Sequence, residues 1–132
     1  MDKNLDFEIN FFESLLARKP DFCQALVALG EAYTRKGMYD RGLEVDLRLL
    51  KLRPLDEVAY YNLACDYSLL QDNRNCLRAL EKSLVLGYRD FRLMENDADL
   101  SFVKNDPRFW ELLEKYRLRK KRVFRPIRVP SY

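Results

Sequence analysis

Histidine does not occur in this 132-residue chain, and cysteine and glycine are scarce. Its absence removes the commonest general base and the commonest transition-metal ligand together. The four glycines form neither G-x-x-x-x-G-K-[ST] nor G-x-G-x-x-G, so no phosphate-cradling loop is written into the chain. Cysteine is limited to Cys23, Cys65 and Cys76, an odd number spaced 42 and 11 apart with no C-x-x-C, which fits reduced thiols. No apolar run approaches the ~18 residues needed to cross a bilayer. The opening "MDKNLDFEIN" has charges where a signal peptide needs an apolar core. These absences predict a cytoplasmic protein with no cofactor and no metal, and they argue against an enzyme.

What is present is apolar content of 48%, enough for one compact domain, with 34% charged residues. The net charge of +3 is a sum of two unlike parts. Residues 117–132 hold seven basic and no acidic residues, leaving 17 basic against 21 acidic in residues 1–116. An acidic body therefore carries a strongly basic tail.

The body repeats itself. At a shift of 34, Ala25 meets Ala59, Leu29 meets Leu63, Tyr33 meets Tyr67, Leu43 meets Leu77, Leu50 meets Leu84, and Pro20 meets Pro54. Within each copy the apolar spacing is helical, so each reads as helix, turn, helix. Gly37 stands where the first helix must stop, and Asp72-Asn73 makes the equivalent turn in the second copy. About seven helices over residues 5–121 and no sheet are expected.

The period, the small residues Gly30 and Ala64, the tyrosines three further on and the closing Pro54 resemble the tetratricopeptide repeat. The resemblance covers two full copies, 23–56 and 57–90, preceded by a half-repeat over 5–22. Gly30 and Ala64 would let two helices cross closely, with Gly42 and Cys76 as small facing residues. Asp46 departs from the pattern, standing where the family usually has a large apolar group, and Tyr88 replaces a second closing proline. After Asp90 the rhythm is lost, and 91–118 resembles the closing segment of many bacterial members, which implies a bacterial source. There Asp106-Pro107 is a helix start, followed by one apolar face of Phe109, Leu112, Leu113 and Tyr116.

If the resemblance holds, the first helices of successive units line a concave groove. That assigns Gln24, Val27, Glu31, Thr34 and Arg35 from one unit, and Val58, Tyr61, Cys65, Ser68 and Leu69 from the next. Spacings of three, four and three put each set on one helical face. Glu31 and Arg35 form an i, i+4 pair that could neutralise itself. The family's two-lysine, two-asparagine clamp for a terminal carboxylate is not present. Glu13, Glu44, Glu81 and Glu114 read as solvated faces, and Cys65 as a small apolar contact.

Two further surfaces stand out. Phe11, Phe12, Leu15 and Leu16 in "NFFESLL" either pack on the Leu26/Leu29 face or serve self-association or partner docking. The tail, 119–132, cannot continue a helix past Pro126 and Pro130. An extended conformation would align Arg122, Arg125 and Arg128 on one edge and Phe124, Ile127 and Pro130 on another. Arg119, Lys120, Lys121, Arg122, Phe124, Arg125, Ile127 and Arg128 are its candidate contacts, in a free appendage, a strap on a protein surface, or an RNA contact. The expected function is an all-α, non-enzymatic adaptor or assembly factor with a helical domain over 1–118. The alternative is an RNA- or ribosome-associated protein anchored by the tail.

Overall fold

Where the helical apolar period breaks, an aspartate or a glycine marks the break, and a helix starts or stops there. The computed structural model describes residues 3–119. It contains α1 (Lys3–Arg18), α2 (Cys23–Lys36), α3 (Tyr39–Leu52), α4 (Glu57–Leu69), α5 (Asn73–Val85), α6 (Phe91–Asn96) and α7 (Pro107–Arg119). Two single 3-10 turns, Ala98–Leu100 and Val103–Asn105, lie between α6 and α7, and no strand occurs among the described residues. Asp56 accepts from the amides of Val58 (2.9 Å) and Ala59 (3.1 Å) to begin α4. Asp72 accepts from Asn75 N at 3.1 Å to begin α5, and Asp106 from Arg108 N at 3.0 Å to begin α7. Gly37 ends α2 at φ +84°, a left-handed conformation that an L side chain resists. Gly37→Ala is expected to lower stability by about 1 kcal/mol, read from the midpoint of urea unfolding.

The spacing of the helices corrects one expectation. α2, α4 and α6 begin at 23, 57 and 91, while α3, α5 and α7 begin at 39, 73 and 107, so the period of 34 continues past Asp90. What fails there is only the length of the third first-helix. One period on from Leu29 and Leu63 lies Asp97, which cannot join an apolar core. It leaves the helix instead and caps the next turn, accepting from Asp99 N at 3.0 Å.

Each helix from α1 to α5 packs against its neighbour in the chain. Leu5, Ile9 and Leu16 of α1 are buried with Leu26 and Leu29 of α2 and Val45 and Leu49 of α3. A second core joins Leu63 of α4, Leu80 and Leu84 of α5, Met94, Leu100 and Val103 of the closing segment, and the whole expected face of α7: Phe109, Leu112, Leu113 and Tyr116. Leu50 touches both cores. On α1, Leu16 packs inward and Phe12 and Leu15 are half-buried, whereas Phe11 remains exposed and stacks on exposed Phe7 at 6.4 Å. The apolar N-terminal stretch thus faces both ways. No described helix is long and apolar enough to cross a membrane.

The small residues at the α2–α3 crossing behave differently from one another. A Cβ on Gly42 would lie 3.6 Å from the carbonyl oxygen of Gly30 and 3.3 Å from Thr34 Oγ1, which is the close approach expected. On Gly30 it would lie 2.8 Å from Asp46 Oδ1, so what keeps position 30 small is a carboxylate rather than a facing backbone. Gly30→Leu is expected to cost on the order of 1–3 kcal/mol or more, as overpacking does. A thermal melt that matches the parent would overturn this register.

Candidate functional site

α4 is buried on two sides, because the closing segment folds back over the face that the repeat pattern assigns to an open groove. Tyr61 is 4% exposed, stacks on Tyr88 with ring centroids 4.7 Å apart, and donates from its hydroxyl to Asp97 Oδ2 at 2.6 Å. That stacking is what Tyr88 does in place of a proline. Ser68 is fully buried with its Oγ 3.4 Å from Val103 N. Tyr61 and Ser68 are therefore seats for the closing segment and not open contact surface. Gln24 and Val58 are exposed and Leu69 is half-buried, all outside the recess described next.

The other five expected groove residues, Val27, Glu31, Thr34, Arg35 and Cys65, come together in a cleft of about 330 Å³. Its remaining wall is Gly30, Asp46, Asn62, Asp66, Asp97 and Asp99. Arg35 does not neutralise Glu31 as its spacing suggests. It reaches across to Glu8 of α1, with Nη2 2.8 Å from Oε1. Five carboxyl groups thus face one guanidinium that already has a counter-ion, and a concave wall of one sign concentrates its field.

Asp46 and Asp66 are absent from the site that periodicity predicts, and they are its most unusual members. Both are buried, at 7% and 4% exposure. Burial pushes both carboxyls above the ordinary aspartate range, and Glu31 adds to the effect on Asp46. Burial, the hydrogen bond with Asp46 and the charges of Asp46 and Asp99 push Asp66 up to about 10, so the pair keeps one proton near neutrality. The second oxygen of Asp66, Oδ2, has no hydrogen-bond partner. The departure at Asp46 is visible in the sequence. Asp66 carries no signal until the period is used to compare it with Ala32, its fully buried counterpart.

Cys65 is held as a thiol, since burial and the neighbouring Asp97, Asp99 and Asp66 push it well up. Its Sγ lies 3.9 Å from Asp97 Oδ2. Cys65, Asp97 and Asp99 place one ligand atom each within 4.8 Å of one another, the spacing a metal would need. However, Asp97 already accepts from Tyr61, Cys65 and the Asp99 amide, so its carboxylate is occupied holding the closing segment. Three of the glutamates expected on solvated faces also have partners: Glu13 accepts from the Tyr33 hydroxyl, Glu81 from Tyr116 at 2.9 Å, and Glu114 pairs with Arg117 at 3.7 Å. Of the tail contacts, only Arg119 is described, exposed at the end of α7 with its guanidinium 4.9 Å from the Tyr116 ring. Lys120, Lys121, Arg122, Phe124, Arg125, Ile127 and Arg128 lie outside the described residues.

Fold and site together define an all-α chain of adjacent helix pairs with an acidic recess between two pairs and a closing segment. No family model matches it. Over 90 residues it is 36% identical to a chloroplastic protein of Arabidopsis thaliana. The matched stretch is 66% of this chain and 27% of that protein, so the chain corresponds to little more than a quarter of that relative's length.

Proposed function

We propose that this is a tetratricopeptide-like adaptor or assembly factor, non-enzymatic, which binds another protein through the cleft between α2, α4 and the closing segment. The recurrent helix starts and the Gly30/Gly42 approach support the repeat reading. The observation that carries the binding reading is the cleft itself: about 330 Å³ of open space walled by side chains from three successive helices and a turn. The cysteines are all free, in keeping with a reduced, cytoplasmic setting as part of this proposal. The basic tail is a second contact in the same proposal, either to the partner or to RNA.

Affinity capture from native lysate with the full chain, with and without nuclease, tests it. A partner that survives nuclease and is at least about tenfold depleted when Glu31 and Asp99 are both changed to lysine supports the adaptor. Both positions lie on the cleft wall and outside the apolar cores. Loss of every partner on nuclease treatment would favour the RNA reading, and capture indifferent to the two changes would remove the cleft from it.

A further inference from the structure

Asp46 and Asp66 stand where this chain elsewhere puts core. One period on from Asp46 is Leu80, and one period to either side of Asp66 are Ala32 and Leu100, all three fully buried. Carboxyls at such places are costly to bury unless something compensates them. One proton between them does so in part, yet Asp66 Oδ2 remains without a partner although the residue is only 4% exposed and lines the cleft. Glu31 from α2 and Asp99 from the first 3-10 turn flank the pair, while Arg35 is drawn off to Glu8. The site therefore has negative groups in excess, one unsatisfied acceptor within it, and space far beyond a single ion.

We propose that the cleft is a receptor for one cationic side chain, a guanidinium or ammonium group on an extended polypeptide, with Asp66 and Asp46 as its counter-ions. This rests on the adaptor reading and supplies the chemistry of the partner. Entry of the cation removes the reason for the pair to share a proton. The proton leaves to solvent, both carboxylates are then charged, and the incoming cation donates to the free oxygen of Asp66. The groups facing the pair are Gly30 and Glu31 on α2, Cys65 on α4, and Asp97 and Asp99 on the turn, with Arg35 at the edge. None of them supplies a competing positive charge except Arg35, which is already paired. The cation can come from a partner protein or from the chain's own residues 119–132, where Arg119, Lys120, Lys121, Arg122, Arg125 and Arg128 are found.

The probe is a labelled peptide with the sequence of residues 119–132, beside the same peptide with citrulline for arginine and acetyl-lysine for lysine, titrated onto the full chain by calorimetry in two buffers of different ionisation enthalpy. The charged peptide is expected to bind at least about tenfold more tightly than the neutral one, and about tenfold less tightly to the full chain carrying Glu31→Gln and Asp99→Asn. Glu44→Gln with Glu114→Gln, acidic residues away from the cleft, should leave binding unchanged. Release of ~one proton per peptide, absent in Asp66→Asn, should accompany it. Equal binding of the neutral peptide, equal loss with the distant glutamates, no proton release, or no binding either to the parent or to the chain with Arg122, Arg125 and Arg128 changed to glutamine each overturns the inference. A full chain with Arg122, Arg125 and Arg128 changed to glutamine separates the sources: tighter binding to it identifies the chain's own tail as occupant, and unchanged binding an outside partner. If capture from lysate still depends on the cleft while the neutral peptide binds equally well, the adaptor reading stands and this one falls.

Discussion

Tyr61→Ala lowers stability by about 3–5 kcal/mol, the range for emptying a buried aromatic site, and it does so by releasing the closing segment. The ring is stacked on Tyr88, and its hydroxyl is one of the three donors that hold Asp97. With the ring gone, Asp97 keeps Cys65 and its local amide contact but loses its strongest tie to α4. Amide exchange should therefore accelerate over 97–106 more than over α2 and α3. Tyr61→Phe retains the stacked ring and removes only the hydroxyl, so it should cost about 1–2 kcal/mol. Equal losses for the two variants would mean that the stack contributes nothing.

A second large effect is expected from Asp66→Asn, and it depends on pH. In the folded chain burial and the Asp46 neighbour hold the Asp66 carboxyl protonated above the ordinary aspartate range, whereas in the unfolded chain it ionises near pH 4. The folded state then binds one proton more than the unfolded state, so stability falls as pH rises from about 4 through neutrality. At ~1.4 kcal/mol per pH unit, the parent should lose up to about 4 kcal/mol between pH 5 and pH 8 from this pair alone. In Asp66→Asn the new side-chain amide would donate to Asp46 at every pH. The variant should therefore match the parent near pH 5, exceed it at pH 8, and show a shallower profile. Asp46 and Asp99, which burial also raises, are common to parent and variant, and no histidine adds to them. The carboxylates with lowered values work at the acid end: Asp106, pulled to about 2 by Arg108, and Asp72, pulled down by Asn75, contribute stability that is lost only below the ordinary carboxylate range. Parallel pH profiles for parent and variant would refute the shared proton.

Much of this architecture can be read in advance because it is local. Gly37, Asp72 and Asp106-Pro107 act within one turn, and the face Phe109, Leu112, Leu113, Tyr116 follows from helical spacing alone. The site is legible only in part. The face of α2 that lines the cleft follows from periodicity, but which face of α4 stays open depends on where residues 97–103 return, and that is a long-range event. It buries Tyr61 and Ser68 and brings in Asp97 and Asp99 from beyond the expected groove. Arg35 shows the same limit: Glu31 is its neighbour in sequence, yet Glu8, 27 residues away, is its partner in space. Asp46 stands out by contrast with an apolar norm, and its pairing with Asp66 requires two helices to be laid side by side.

The two ends of the stack differ in a way that limits how copies could assemble. α7 and the closing segment bury the last helix pair, with Phe109 and Leu113 turned inward, while at the other end Phe7 is 69% and Phe11 49% exposed. A stack with complementary surfaces at both ends can add units head to tail without limit. A patch that meets the same patch of a copy about a twofold axis cannot do so. Association of Phe7 and Phe11 with the same patch on a second copy is therefore self-terminating at two chains, because each such contact uses up both patches.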